Sequence, residues 1–88
     1  AKYYYELGSS SQSKNDTDIA KTYFDKCIKC TGDGDEIRYS AMYQLAKIAE
    51  KAGDNNTAAK YFTTVASKHP VEAIRNEAKK FVEQYRES

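Results

Sequence analysis

Shifted by 38 residues, the chain falls on itself at six identical positions: Tyr5 on Tyr43, Leu7 on Leu45, Asp16 on Asp54, Ala20 on Ala58, and Tyr23-Phe24 on Tyr61-Phe62. Near-matches surround them, with Gly8 over Ala46, Glu6 over Gln44 and Cys27 over Val65. Identities clustered where packing needs a set size indicate one supersecondary unit used twice. A unit of this length cannot close a core alone, so neighbouring units must stack.

Each unit reads as two helices. In the second, Ile37, Ala41, Leu45, Ile48 and Ala49 recur at three- and four-residue spacing, an apolar stripe on one helix face. Gly53-Asp54-Asn55-Asn56 follows. Gly accepts a positive φ there, and Asp or Asn can cap the next helix. Ala58, Ala59, Phe62, Val65 and Ala66 continue at helical spacing, and His69-Pro70 stops the run.

The first unit repeats the plan. Tyr4, Leu7, Gly8 and Ser11 mark a helix over about residues 1–13, and Asn15-Asp16-Thr17-Asp18 marks its turn. Ala20, Tyr23, Phe24, Cys27 and Ile28 form the next stripe, ended by Thr31-Gly32-Asp33-Gly34. A fifth helix after Pro70 carries Ile74, Ala78, Phe81, Val82 and Tyr85, then a polar tail, Arg86-Glu87-Ser88. The expected fold is all-α, with five antiparallel helices. The expected units are 1–34, 35–70 and a closing helix over 71–88.

These residues resemble the tetratricopeptide repeat, whose helix–turn–helix pattern is W-x2-L-G-x2-Y, then A-x3-F, then P. In the first unit Tyr4 takes the Trp place, Leu7-Gly8 match, Ser11 replaces Tyr, Ala20 and Phe24 match, and Gly32 stands for Pro. In the second, Met42 takes the Trp place, Leu45-Ala46 replace Leu-Gly, and Ala49 replaces Tyr. Ala58, Phe62 and Pro70 match. The resemblance spans essentially the whole chain and implies a short right-handed superhelix. The spacing of 38 exceeds the family's 34, which places about four extra residues near Gly32–Asp35. Longer spacings, and Val65-Ala66-Ser67-Lys68-His69-Pro70, resemble bacterial cell-envelope members. Cytoplasmic and cell-envelope locations both stay open.

Two units are fewer than the roughly three that solenoids usually need. The fifth helix is expected to cover the second unit. Tyr3 and Tyr4 leave the N-terminal end open, which points to preceding repeats in a larger protein or to self-association through that face. The chain starts at Ala1 already in helical sequence and reads as a fragment.

Composition excludes several classes. The 88 residues carry a net charge of +1, with Lys and Arg spread among Asp and Glu, so nothing calls for nucleic acid. No apolar run approaches the roughly 18 residues that cross a bilayer. A hydrophobic share of 40% suits a folded chain.

The residues that could carry chemistry point away from an enzyme, and no cofactor is implied. Cys27-Ile28-Lys29-Cys30 is a C-x-x-C, but it falls near a helix C-terminus, where the dipole disfavours a thiolate. His69 is the only other candidate zinc ligand of that class. Cys27 is read as a packing residue; a redox or metal-responsive module and a local disulfide stay open. His69 is expected at a helix end in solvent. Asp33, Asp35 and Glu36 lack the twelve-residue calcium pattern and are read as helix caps.

The resemblance implies that first helices of successive hairpins line a concave groove for a peptide or a partner helix. The groove-facing candidates are Lys2, Tyr5, Ser9 and Gln12, then Ser40, Tyr43, Gln44, Lys47 and Lys51, then Glu77, Lys80 and Gln84. Tyr5, Ser9, Tyr43, Gln44, Lys47 and Lys80 are the expected partner-binding set, with Tyr5 and Tyr43 stacked along the groove. Tyr and amide side chains suit peptide recognition. Chaperone-binding members clamp a terminal carboxylate with Lys, Asn and Arg. The matching places here hold Tyr5, Ser9, Gln44, Glu77 and Phe81, so no such clamp is expected. The alternative is a structural spacer without a ligand.

Overall fold

A computed structural model describes residues 2–32 and 34–87. Ala1 at the expected helix start, Asp33 in the junction and Ser88 in the polar tail lie outside them. Among the described residues there are five helices and no strand. They are α1 (Lys2–Ser13), α2 (Thr17–Lys29), α3 (Glu36–Lys51), α4 (Asn55–Lys68) and α5 (Glu72–Glu87).

The two hairpin turns are copies, bond for bond. Asn15 (φ 65°) and Gly53 (φ 82°) occupy the same left-handed position. The Asp16 N–H donates to the Ser11 carbonyl and the Asp54 N–H to the Ala49 carbonyl, both at 2.9 Å. The Asn15 and Gly53 N–H groups donate to Gln12 and Glu50 at 3.1 Å. This crossed pair of bonds satisfies the last carbonyls of a helix and needs one residue at positive φ. Gly adopts it freely and Asn tolerates it. The caps then diverge. The Asp54 carboxylate accepts from the Thr57 N–H and from its hydroxyl at 2.7 Å. Asp16 makes no side-chain cap bond, and its partner position holds Ile19, which has no hydroxyl.

Inside each hairpin a small residue faces a Phe. Phe24 and Phe62 are fully buried, as are Ala20 and Ala58. A methyl group built on Gly8 would lie 2.8 Å from Phe24 Cε1 and 2.9 Å from Cδ1. The first hairpin is therefore closed as tightly as glycine permits. Gly8→Ala should lower stability by about 1 kcal/mol in urea unfolding: overpacking at about 2 kcal/mol outweighs a helix-propensity gain of about 1. Gly8→Ala combined with Phe24→Leu should recover part of that loss.

Neighbouring hairpins dock in one way, seen twice. Ala41, Leu45 and Ile48 of α3 close a core with Ala20, Phe24 and Cys27 of α2. Ala78 of α5 closes another with Ala58, Phe62 and Val65 of α4, helped by Ile74, Phe81 and Val82. The docking faces correspond at a shift of 37: Ile37-Arg38-x-x-Ala41 in α3 and Ile74-Arg75-x-x-Ala78 in α5. Both arginines reach back to the end of the preceding helix. Arg38 Nη1 donates to the Ile28 carbonyl at 3.0 Å and the Thr31 carbonyl at 2.9 Å. Arg75 Nη1 donates to the His69 carbonyl at 2.6 Å. A guanidinium suits this place, because the last carbonyls of a helix are orphaned and carry the negative end of its dipole. Arg38→Met keeps the apolar stem and removes the charged donor. It should cost about 2 kcal/mol by denaturant unfolding, while Lys29→Met on the exposed end of α2 stays within about 0.5 kcal/mol.

Candidate interaction face

α2 packs between α1 and α3, and α4 between α3 and α5; α1 meets α3 only slightly, and the α3 and α5 backbones do not pack. Side chains span the space between α3 and α5. The Tyr43 hydroxyl donates to Glu77 Oε2 at 2.5 Å, and Lys47 Nζ lies 3.4 Å from Glu77 Oε1. The Lys47 ammonium also sits 5.5 Å from the centre of the Tyr43 ring. At the other edge, Gln12 of α1 and Lys51 of α3 line one shallow depression with Ile48. Side chains thus link α3 to α5, and α1 and α3 border one depression near the first hairpin turn.

Electrostatics in the α3–α5 link follow from partial burial. Burial, and then the bond to Glu77, raise the Tyr43 hydroxyl above its ordinary value of 10.0. Burial alone would lower the Lys47 ammonium, but the Tyr43 oxygen and the Glu77 carboxylate outweigh it and hold it raised. The pair is still exposed enough for water to screen it, so it contributes on the order of 0–1 kcal/mol.

The expected groove residues separate into two groups. Tyr43 and Lys47 come together with Glu77. Ser9 and Gln44 are half-buried on α1 and α3, Lys80 is exposed on α5, and none of them joins that cluster. Tyr5 and Tyr43 do not stack as expected. Each ring packs on the Phe of its own hairpin, Tyr5 on Phe24 at 5.6 Å and Tyr43 on Phe62 at 6.3 Å. The reason is reach: a helix-to-helix step between α1 and α3 is longer than the step to the facing Phe across the hairpin. Both tyrosines are consequently half core and half surface.

His69 is a correction to the sequence reading. It is 3% exposed, not in solvent. Its Nδ1 accepts from the Val71 N–H at 3.0 Å, and its ring meets Tyr43 edge-on at 6.2 Å. The corner before Pro70 folds the imidazole inward between α3 and α5. The sequence carried no sign of this, since the 38-residue shift sets His69 over Thr31, a small polar residue.

The C-x-x-C splits between core and surface. Cys27 is fully buried among Ala20, Phe24 and Leu45, and burial raises its thiol above 9.0. Cys30 is exposed at the C-cap of α2, and both thiols are free. A thiol in an apolar core with a raised pKa is a packing group. Asp35 caps α3, accepting from the Ile37 N–H at 3.0 Å, as the capping reading required.

Comparison with known families agrees with this architecture. One tetratricopeptide repeat model matches residues 1–30 and a second matches residues 40–70, together more than half of the chain. The chain belongs to the tetratricopeptide repeat family. Neither the comparison with curated proteins nor that with solved structures returned a match. Tetratricopeptide repeats are non-catalytic scaffolds that mediate protein–protein interaction or assembly. Among the described residues no helix is long and apolar enough to cross a membrane.

The double role of Tyr43 can be separated by mutation. Tyr43→Phe removes only the exposed bond to Glu77 and should change unfolding free energy by less than about 1 kcal/mol. Tyr43→Ala also removes the packing on Phe62 and His69 and should cost about 2–3 kcal/mol.

Proposed function

We propose that this tetratricopeptide repeat chain binds a peptide or a partner helix along the α1/α3/α5 face. Tyr5, Ser9, Tyr43, Gln44, Lys47 and Lys80 form the contact set. The observation that carries the reading is the division of labour on α1, α3 and α5. Tyr43, Lys47 and Glu77 hold α3 and α5 together through side chains. Beside them Ser9, Gln44 and Lys80 keep polar groups at half-buried or exposed positions. A surface held in place before binding loses less freedom on complex formation. Half-buried Tyr rings add rigid apolar area, and the amide and hydroxyl groups match a peptide backbone.

A spacer without a ligand is the second reading. The mutual satisfaction of Tyr43, Lys47 and Glu77 favours it, because those groups already have partners. Panning a random peptide library on the purified chain, then titrating the hits by calorimetry, decides between the two. Under the binding reading, Gln44→Ala/Lys80→Glu weakens the hits at least tenfold, about 1.4 kcal/mol. Lys60→Glu on exposed α4 leaves them unchanged. Hits that respond only to Lys60→Glu, or no hits at all, would move the function to another surface or to the spacer.

A further inference from the structure

The corner between α4 and α5 holds the one His of the chain, and its hydrogen bonding requires a particular protonation state. A backbone N–H can only donate. Because the Val71 N–H points at His69 Nδ1 at 3.0 Å, that nitrogen must carry a lone pair. The neutral ring therefore holds its proton on Nε2. A second proton would go to Nδ1, opposite the Val71 N–H, and two donors would then face each other just before α5 begins.

The charges around the ring pull in both directions. From α5, the Arg75 guanidinium donates to the carbonyl of His69 itself, a cation beside any imidazolium. From α3, Glu36 favours a charged ring, and Tyr43 presents only its aromatic edge. From α4 and α3, Lys68, Glu36 and Tyr39 line the shallow depression beside Pro70. Burial of the ring opposes charge as well. Burial is the larger effect and Arg75 the next, and together they hold His69 below its ordinary value of 6.5.

We propose that the His69 corner is a proton-sensitive hinge for α5: protonation of Nδ1 breaks the Val71 bond, sets an imidazolium beside Arg75 and loosens the seating of α5 on α4. α5 carries Glu77, so its release also frees Tyr43 and Lys47 on α3. The consequence for ligands rests on the binding reading above; the hinge itself does not. The direction of the pH effect follows from the depressed value. The neutral ring is preferred when α5 is docked, so docking is complete above the ordinary His range. It weakens as pH falls below about 6.5.

Amide hydrogen exchange followed by NMR, corrected for the intrinsic effect of pH, reads the hinge without any ligand. Between about pH 7.5 and about pH 5.5, still above the carboxylate range, protection of the α5 amides around Ala78 should fall measurably relative to those around Leu45 in α3, with about tenfold as the ceiling that a reference His value of about 6.5 sets. The Val71 amide shift should follow the His69 ring titration in the native chain. His69→Asn offers an acceptor that does not titrate, and its α5 protection should be the same at both pH values. The hinge is overturned if native α5 keeps its protection at the lower pH. It is equally overturned if the Val71 amide ignores the His69 titration, or if His69→Asn loses protection as the native chain does. Because peptide affinity enters none of these readouts, failure of the hinge and failure of the binding face are told apart.

Discussion

Phe24 and Phe62 each stand where three helices meet, and the spacing of every helix follows from what can approach them. Phe24 takes the bare backbone of Gly8 from α1, the ring of Tyr5 beside it, and the Ala41–Leu45 face of α3. Phe62 takes Tyr43 from α3 and Phe81 from α5, the latter at 4.6 Å between ring centres. A buried ring of this size excludes any but small residues on its flat approach, and close-packed interiors leave little slack to absorb a misfit. That is why the smallest residues of the repeat, Gly8, Ala20, Ala46 and Ala58, gather around the two rings. Hairpin geometry and hairpin stacking are thus set at the same two points.

Hairpin stacking adds a polar element to this apolar frame. Arg38 and Arg75 tie the start of each incoming helix to the carbonyls that close the previous one. Each guanidinium adds a charged donor at the negative end of a helix dipole. Arg38 does so beside the Thr31 N–H and hydroxyl, which also reach the Ile28 carbonyl. The same device at both junctions marks α5 as a third first-helix, docked like α3. Its exposed side carries Lys79, Lys80, Glu83 and Arg86.

The α1/α3/α5 face inherits its order from this frame. α3 and α5 are joined there by Tyr43, Lys47 and Glu77, not by backbone packing. The face is as firm as the seating of α5 on α4. Under the proposed binding reading, stability and recognition meet in that one element. The coupling runs through the last helix, which has fewer neighbours than α3 and no helix beyond it among the described residues.

Much of this was legible in the sequence. The 38-residue shift, the Gly53-Asp54 turn and the A-x3-F spacing led to five helices and to the family, because small residues, turn residues and helical periodicity act locally. Capping by Asp35 and packing by Cys27 were legible for the same reason. Tertiary structure alone decided where the longer side chains went. It turned His69 inward, although His-Pro reads as an exposed helix end, because the path of the chain after a Pro depends on where α5 docks. It set Tyr5 and Tyr43 on their own Phe partners, because ring contacts depend on distances across the hairpin that periodicity does not contain. It paired Glu77 with Tyr43 and Lys47, residues 34 and 30 positions away in the chain. Sequence determines which face of a helix is apolar; only the assembled fold determines which polar groups then find each other.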